Sequence, residues 1–161
     1  MSSAATRWIG LACLALGLAM IIVDTSIVNV AIPSIIDDLE ITPSAAEWVN
    51  SSYALVFAAA LITLSRIGDM IGQRRLYLTG TSLFAGASVL AALAPTGELL
   101  IAARLLQGLG GAAMAPSTQS IVNATFRGKD RAIAFAIYGS VIGGMAAMGP
   151  VIGGWLTTNA S

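Results

Sequence analysis

Five long stretches of this chain contain no charged residue: Trp8–Val23, Trp48–Ser65, Leu76–Gly97, Leu105–Phe126 and Ala132–Ser161. An α-helix needs about 20 apolar residues to cross a ~30 Å hydrocarbon core, and four of the stretches reach or approach that length. The first becomes long enough if it runs on through Asp24 to about Ile36. With 57% hydrophobic residues, 10% charged residues and a mean hydropathy of +0.84, the composition excludes an ordinary soluble domain. A transmembrane barrel is excluded as well, because its strands would alternate apolar and polar residues over about 10 positions. The fold class is therefore all-α, a polytopic membrane domain over residues 1–161 with five transmembrane helices at about 8–36, 47–65, 76–94, 99–124 and 132–156. Short connections separate them, punctuated by Pro43, Pro95 and the Gly128 region.

Charge alternates from loop to loop. Arg7 precedes the first span, and the first loop (Asp37, Asp38, Glu40, Glu47) is purely acidic. The second loop carries Arg66, Arg74 and Arg75, the third only Glu98, and the fourth Arg127, Lys129 and Arg131. The positive-inside rule then places the N-terminus and the second and fourth loops in the cytoplasm, and the uncharged tail Thr157–Ser161 outside. Seven of the eight basic residues lie inside on this reading; the eighth, Arg104, falls within a span. Four further spans follow Met1–Val23 and no small-x-small site ends it, so it is expected to stay as a helix rather than be cleaved as a signal. Lone Cys13 permits no internal disulfide, and no Cys/His cluster suggests a metal site. Asn-x-Ser/Thr at Asn50, Asn123 and Asn159 is read as chance matching.

Polar residues inside the spans are where chemistry would reside. A carboxylate in lipid costs on the order of 2.5–3.5 kcal/mol on insertion scales, so Asp24 must face protein or water. Thr25, Asn29 and Pro33 follow one another at i, i+4 and i+8, a second polar stripe beside Asp24. At 1.5 Å per residue, Asp24 lies roughly 24 Å above an inner boundary near Trp8, and Arg104 about 8 Å below an outer boundary near Leu99. The two thus share a depth in the outer half of the core, which makes Arg104 the natural partner of Asp24. Arg104, Gln107, Gly108, Gly111 and Ala115 share one helical face. An arginine beside an acid favours its charged form and desolvation its neutral form, so relative movement of the two helices would switch protonation.

Two glycine-bearing segments complete the candidates. Between Ser65 and Arg75, Gly68 and Gly72 allow a tight turn, and Asp69 is placed to pair with an arginine or to meet a helix N-terminus. In the fifth span, Gly139/Gly143 and Gly149/Gly153 are small-xxx-small pairs that let helices approach, with Gly144 and Gly154 beside them. Pro150 removes one helix hydrogen bond and is expected to kink the outer end.

These residues, taken in order, resemble the N-terminal part of a major facilitator superfamily transporter, in the 14-span drug:proton antiporter branch. Asp24-Thr-Ser-Ile-Val-Asn-Val-Ala-Ile-Pro33 resembles that branch's span-one motif D-x-T-x-V-N-x-A-L-P. Asp69, Gly72, Arg74 and Arg75 match the loop signature G-x-L-a-D-r-x-G-r-k, with Ser65 in place of the first glycine and Met70 and Gln73 in place of basic residues. Arg104-Leu-Leu-Gln-Gly-Leu-Gly-Gly resembles the span-four motif tied in that family to proton transfer. Gly139 through Gly154 resembles the span-five antiporter motif, with Met145 where a small residue is usual.

The resemblance implies an alternating-access carrier whose six-helix halves each hold two inverted three-helix repeats, so that a sixth helix and a second half are expected beyond Ser161. It implies proton-coupled efflux of hydrophobic or cationic small molecules, driven by the proton gradient without a cofactor. Asp24 and Arg104 would couple the proton, and Thr25, Asn29 and Gln107 would line the substrate cavity. Gly68, Asp69, Gly72, Arg74 and Arg75 would form the cytoplasmic latch, and Gly139, Gly143, Gly149, Pro150, Gly153 and Gly154 the leak-sealing helix. Its partners would be the lipid bilayer, a small-molecule substrate, protons, the second transporter half and an unassigned envelope adaptor, in a cytoplasmic membrane. A same-branch carrier of a metabolite, siderophore or lipid, and a truncated non-transporting membrane protein or a subunit that needs a partner half, are the alternatives. An enzyme or a nucleic-acid-binding protein is not expected: the sequence has no His and no phosphate loop, and its basic residues follow topology rather than a stripe.

Overall fold

The computed structural model describes the backbone of residues 3–159 and the side chains of residues 5–155; the last two residues of the uncharged tail lie outside the described residues. Five helices follow one another: α1 (Ser3–Asp38), α2 (Pro43–Ile71), α3 (Gln73–Ala92), α4 (Gly97–Thr125) and α5 (Gly128–Asn159). The starts of α2 and α4 follow ordinary capping chemistry. Thr42 accepts a hydrogen bond from the Ala45 amide with Pro43 in the first turn, and Thr96 accepts one from the Leu99 amide ahead of Glu98. Helices in a bilayer satisfy their own backbone, so the polar ends grow past the apolar stretches and each helix exceeds or matches its expected length.

One local expectation changes. The segment around Ser65–Arg75 is not a ten-residue loop: α2 continues through Gly68 and Asp69 to Ile71, and α3 begins at Gln73. A single residue, Gly72 at φ +100°, makes the whole break, in backbone space open to glycine. Pro150 lies inside α5, which runs unbroken through it.

Four helices are long and apolar enough to cross a membrane by length and composition: α1, α2, α4 and α5. The other, α3, opens on Arg74 and Arg75 and carries Thr79, Thr81, Ser82 and Ser88; it takes its place by packing along α4. α4 packs closely on α2 and α3, while α1 pairs with α5. Glycines set the closeness of both arrangements. A Cβ on Gly110 would stand 2.8 Å from the Gly80 carbonyl of α3, and one on Gly149 would collide with Ser26 of α1.

Chain direction alternates, so the basic ends gather together. Trp8 of α1 stacks tilted on Phe126 after α4, ring centres 5.0 Å apart, and Arg7 lies 5.9 Å above the same ring. Leu11, Leu14, Tyr77, Met114, Val122 and Ala134 continue this cluster. At the opposite end Ile41, in the acidic α1–α2 turn, packs against Gly97 at the start of α4. Leu16, Ile62, Leu93 and Val151 point outward, a surface that suits lipid contact.

Candidate functional site

Arg104 is the largest fully buried side chain, 1% exposed, and every polar contact it makes comes from another part of the bundle or the next turn of α4. Its Nη1 donates to Asp24 Oδ2 of α1 at 2.5 Å and to Gln107 Oε1 at 2.9 Å. Its Nε donates to the Val49 carbonyl of α2 at 3.2 Å, and its guanidinium carbon sits 4.4 Å over the Tyr53 ring. Gln107, also 1% exposed, donates from Nε2 to Asp24 Oδ1 at 2.7 Å and to Ser88 Oγ of α3 at 2.9 Å. The Ser88 hydroxyl in turn donates a hydrogen bond to the Phe84 carbonyl at 2.9 Å. Four helices therefore meet in one network with Asp24 as its anion.

The local sequence explains the convergence. Arg104 and Gln107 lie three apart on α4 and so project together. Gly108 and Gly111 follow on the side facing α2, where a Cβ on Gly108 would stand 2.7 Å from the Tyr53 carbonyl. That close approach brings the α2 backbone and ring within reach of the arginine. Charge in a membrane interior persists only when paired and hydrogen-bonded, and both Asp24 oxygens receive a hydrogen here. The arrangement can hold a carboxylate at one junction of helices and exchange its ionic contacts if α1 moves against α4.

Other candidates lie elsewhere. Thr25 donates to the Ile21 and Ile22 carbonyls of its own helix, so its hydroxyl serves the backbone. Asn29 donates to the Thr25 carbonyl and accepts at 2.7 Å from Asn50 of α2, an amide tie across the acidic end. Asp69 does not pair with an arginine: among the described residues the ion pair is Asp24–Arg104. Instead Asp69 accepts from Gln73 Nε2 at 2.7 Å, while Gln73 Oε1 accepts from buried Ser117 of α4 at 3.0 Å. Gly68 leaves the room in which the Gln73 amide sits. Arg74 and Arg75 are exposed, and Arg74 borders a groove of about 710 Å³ with Arg7, Leu11, Tyr77 and Phe126, remote from Asp24.

The fifth-span glycines divide. Gly149 and Gly153 receive Ser26, Ile27 and Val30 of α1, whereas a Cβ at Gly139, Gly143, Gly144 or Gly154 would meet nothing within 4 Å. The expected close approach at Gly139/Gly143 is thus not made by these five helices: both glycines lie on a face of α5 that looks into open space, while Ala134 of the same helix is buried in the core.

Tyr53, Ser88 and the Val49 carbonyl were not foreseen. One signal was available: Tyr53 stands six residues inside Glu47, as Arg104 stands six inside Glu98, and equal depth is the condition for contact.

Residues 14–161 match the family model described as Major Facilitator Superfamily. The chain is 40% identical over 150 residues to the multidrug efflux pump LfrA of Mycolicibacterium smegmatis, covering 92% of this chain and 30% of that protein. It is 38% identical over 152 residues to the puromycin resistance protein pur8 of Streptomyces alboniger, covering 94% and 30%. It is 36% identical over 149 residues to the tetracenomycin C resistance and export protein of Streptomyces glaucescens, covering 92% and 28%. The chain spans less than a third of the length of these relatives.

Proposed function

Because the chain belongs to the Major Facilitator Superfamily, we propose that it supplies the N-terminal transmembrane part of a proton-driven antiporter that expels hydrophobic or cationic small molecules. It is a multi-pass membrane protein of a transporter family, not an enzyme. The N-terminus and the basic ends face the cytoplasm, in accordance with the charge distribution, and the membrane is the cytoplasmic membrane. A second half of the carrier provides the opposite wall of the substrate cavity, and no cofactor takes part.

The observation that carries this reading is the network of half-buried Asp24 with buried Arg104 and Gln107 where α1 meets α4. Asp24 is the proton site. A proton arriving from outside neutralises it, releases its hold on Arg104 and Gln107, weakens substrate binding and favours return to the inward-facing state. In the inward-facing state Asp24 gives up the proton as substrate binds. Each proton moving down a 100 mV potential supplies about 2.3 kcal/mol for the uphill movement of substrate. Asp69, held by Gln73, which Ser117 bonds in turn, anchors the cytoplasmic ends of α2, α3 and α4 in one of the two states. Gly149 and Gly153 keep α5 tight on α1 against leak. Names of the relatives include both multidrug pumps and single-antibiotic resistance proteins, and a resistance profile of the complete protein separates a broad substrate range from a narrow one.

The test is Asp24→Asn in the complete protein, reconstituted in vesicles with ethidium as a fluorescent hydrophobic cation. Gradient-driven accumulation is abolished while downhill movement continues. Uphill accumulation at the wild-type level would reject the coupling role.

A further inference from the structure

Arg104 has two sets of contacts that differ in what proton movement does to them. Those with Asp24, and with Gln107 that Asp24 also holds, depend on the charge of α1. The Val49 carbonyl and the Tyr53 ring do not. Val49 and Tyr53 are one helical turn apart on the same face of α2, both buried, at 0% and 7% exposure. When Asp24 is neutral, a buried guanidinium loses its counter-ion, a state that costs several kcal/mol unless other groups take the charge. An aromatic face in a desolvated site is one of the few neutral groups that does so.

We propose that Tyr53 is a positioning residue for the charge pair: its ring face is the seat that keeps Arg104 in place while Asp24 is neutralised. The idea rests on the proton-coupling reading of Asp24 given above. The ring, rather than the hydroxyl, carries the role. Tyr53 Oη is the buried side-chain polar atom that finds no hydrogen-bond partner among the described residues. It lies against Gly111, and the ring is stacked on Phe57 at 5.9 Å, two contacts that hold the ring under Arg104.

The charged and titratable surroundings of Asp24 are few. From α4 it faces Arg104 and Gln107, and the same network brings Tyr53 from α2 and Ser88 from α3. α5 meets this part of α1 through Gly149 and Gly153, with its charges Lys129, Asp130 and Arg131 in the first turn, at the basic end. The sign follows from this small set. Loss of the ring penalises the state with neutral Asp24 more than the state with the ion pair, so proton-driven turnover then needs a more acidic outside.

A double-mutant cycle on the complete purified protein tests the seat without any substrate. Tyr53→Leu lowers the thermal midpoint, and the drop is about twofold larger in an Asp24→Asn background, as expected when a cation–π contact passes from ion-paired to sole support. Equal drops in both backgrounds would assign Tyr53 to packing alone and overturn the proposal. In vesicles, the pH profile of ethidium accumulation moves about one unit to acid in Tyr53→Leu and is restored by Tyr53→Phe. A Tyr53→Phe profile displaced as far as that of Tyr53→Leu would transfer the role to the hydroxyl and also overturn it. If Tyr53→Leu does not fold, fluorinated phenylalanines at position 53 weaken the ring face at constant shape. The Asp24→Asn protein then loses stability stepwise with fluorine number, and the absence of steps counts against the seat. Failure of the wild type to accumulate ethidium would contradict the transport reading, while the stability cycle still decides the role of Tyr53.

Discussion

Arg104 is a cation whose burial is balanced bond by bond: one carboxylate, one amide, one helix carbonyl and one ring. Removing one partner of such a pair leaves the other charge uncompensated, which typically costs 3–5 kcal/mol in buried sites, whereas replacing both is far milder. Arg104→Leu should therefore lower stability by roughly that amount, and adding Asp24→Asn should recover most of it; thermal unfolding in detergent reads both. Equal stability of the single and double variants would mean that Asp24 reaches water and needs no partner. Counting residues along two helices was enough to pair Asp24 with Arg104, because charge in lipid leaves few choices. Tyr53 and Ser88 were not legible in the same way. Hydroxyls and rings are tolerated at many depths in a span, and which of them meets the pair depends on how α2 and α3 are rotated.

Helix surfaces matter next, and here glycine has two opposite meanings. At Gly108 the neighbour is a backbone carbonyl, which cannot yield. Gly108→Ala is expected to cost about 1–3 kcal/mol by separating α2 from α4. At Gly143 the surroundings are open, and alanine gains roughly 0.5–1 kcal/mol of helix stability over glycine. Melting curves of the two variants should therefore move in opposite directions. A Gly143→Ala variant that keeps its stability yet stops transport would show that a further element uses that face. Spacing alone marks Gly139/Gly143 and Gly149/Gly153 as equivalent; it carries no record of which of them faces another helix. The α2–α3 junction was misjudged for a related reason. Charges and glycines between Ser65 and Arg75 suggest a loop, but charged side chains at a membrane boundary extend into water while the backbone stays helical, so only Gly72 breaks it. Four of the helices were plain from apolar length, since an unalternating apolar run of that length satisfies its backbone in a bilayer only as a helix.

Taken whole, the five helices form two groups, α1 with α5 and α4 with α2 and α3. Toward the acidic end the network around Asp24 ties the groups to each other across a boundary that alternating access would have to shift. The basic residues gather at one end and the acidic turns at the other, as the loop charges required. The central claim is that substrate and proton compete at Asp24, and the most direct measurement is proton release on binding. Ethidium is added to the complete purified protein in weakly buffered solution, with wild type and Asp24→Asn compared. The account predicts that the wild type releases protons as the probe binds and that Asp24→Asn binds it without release. Equal release from both proteins would contradict it and place the proton site elsewhere.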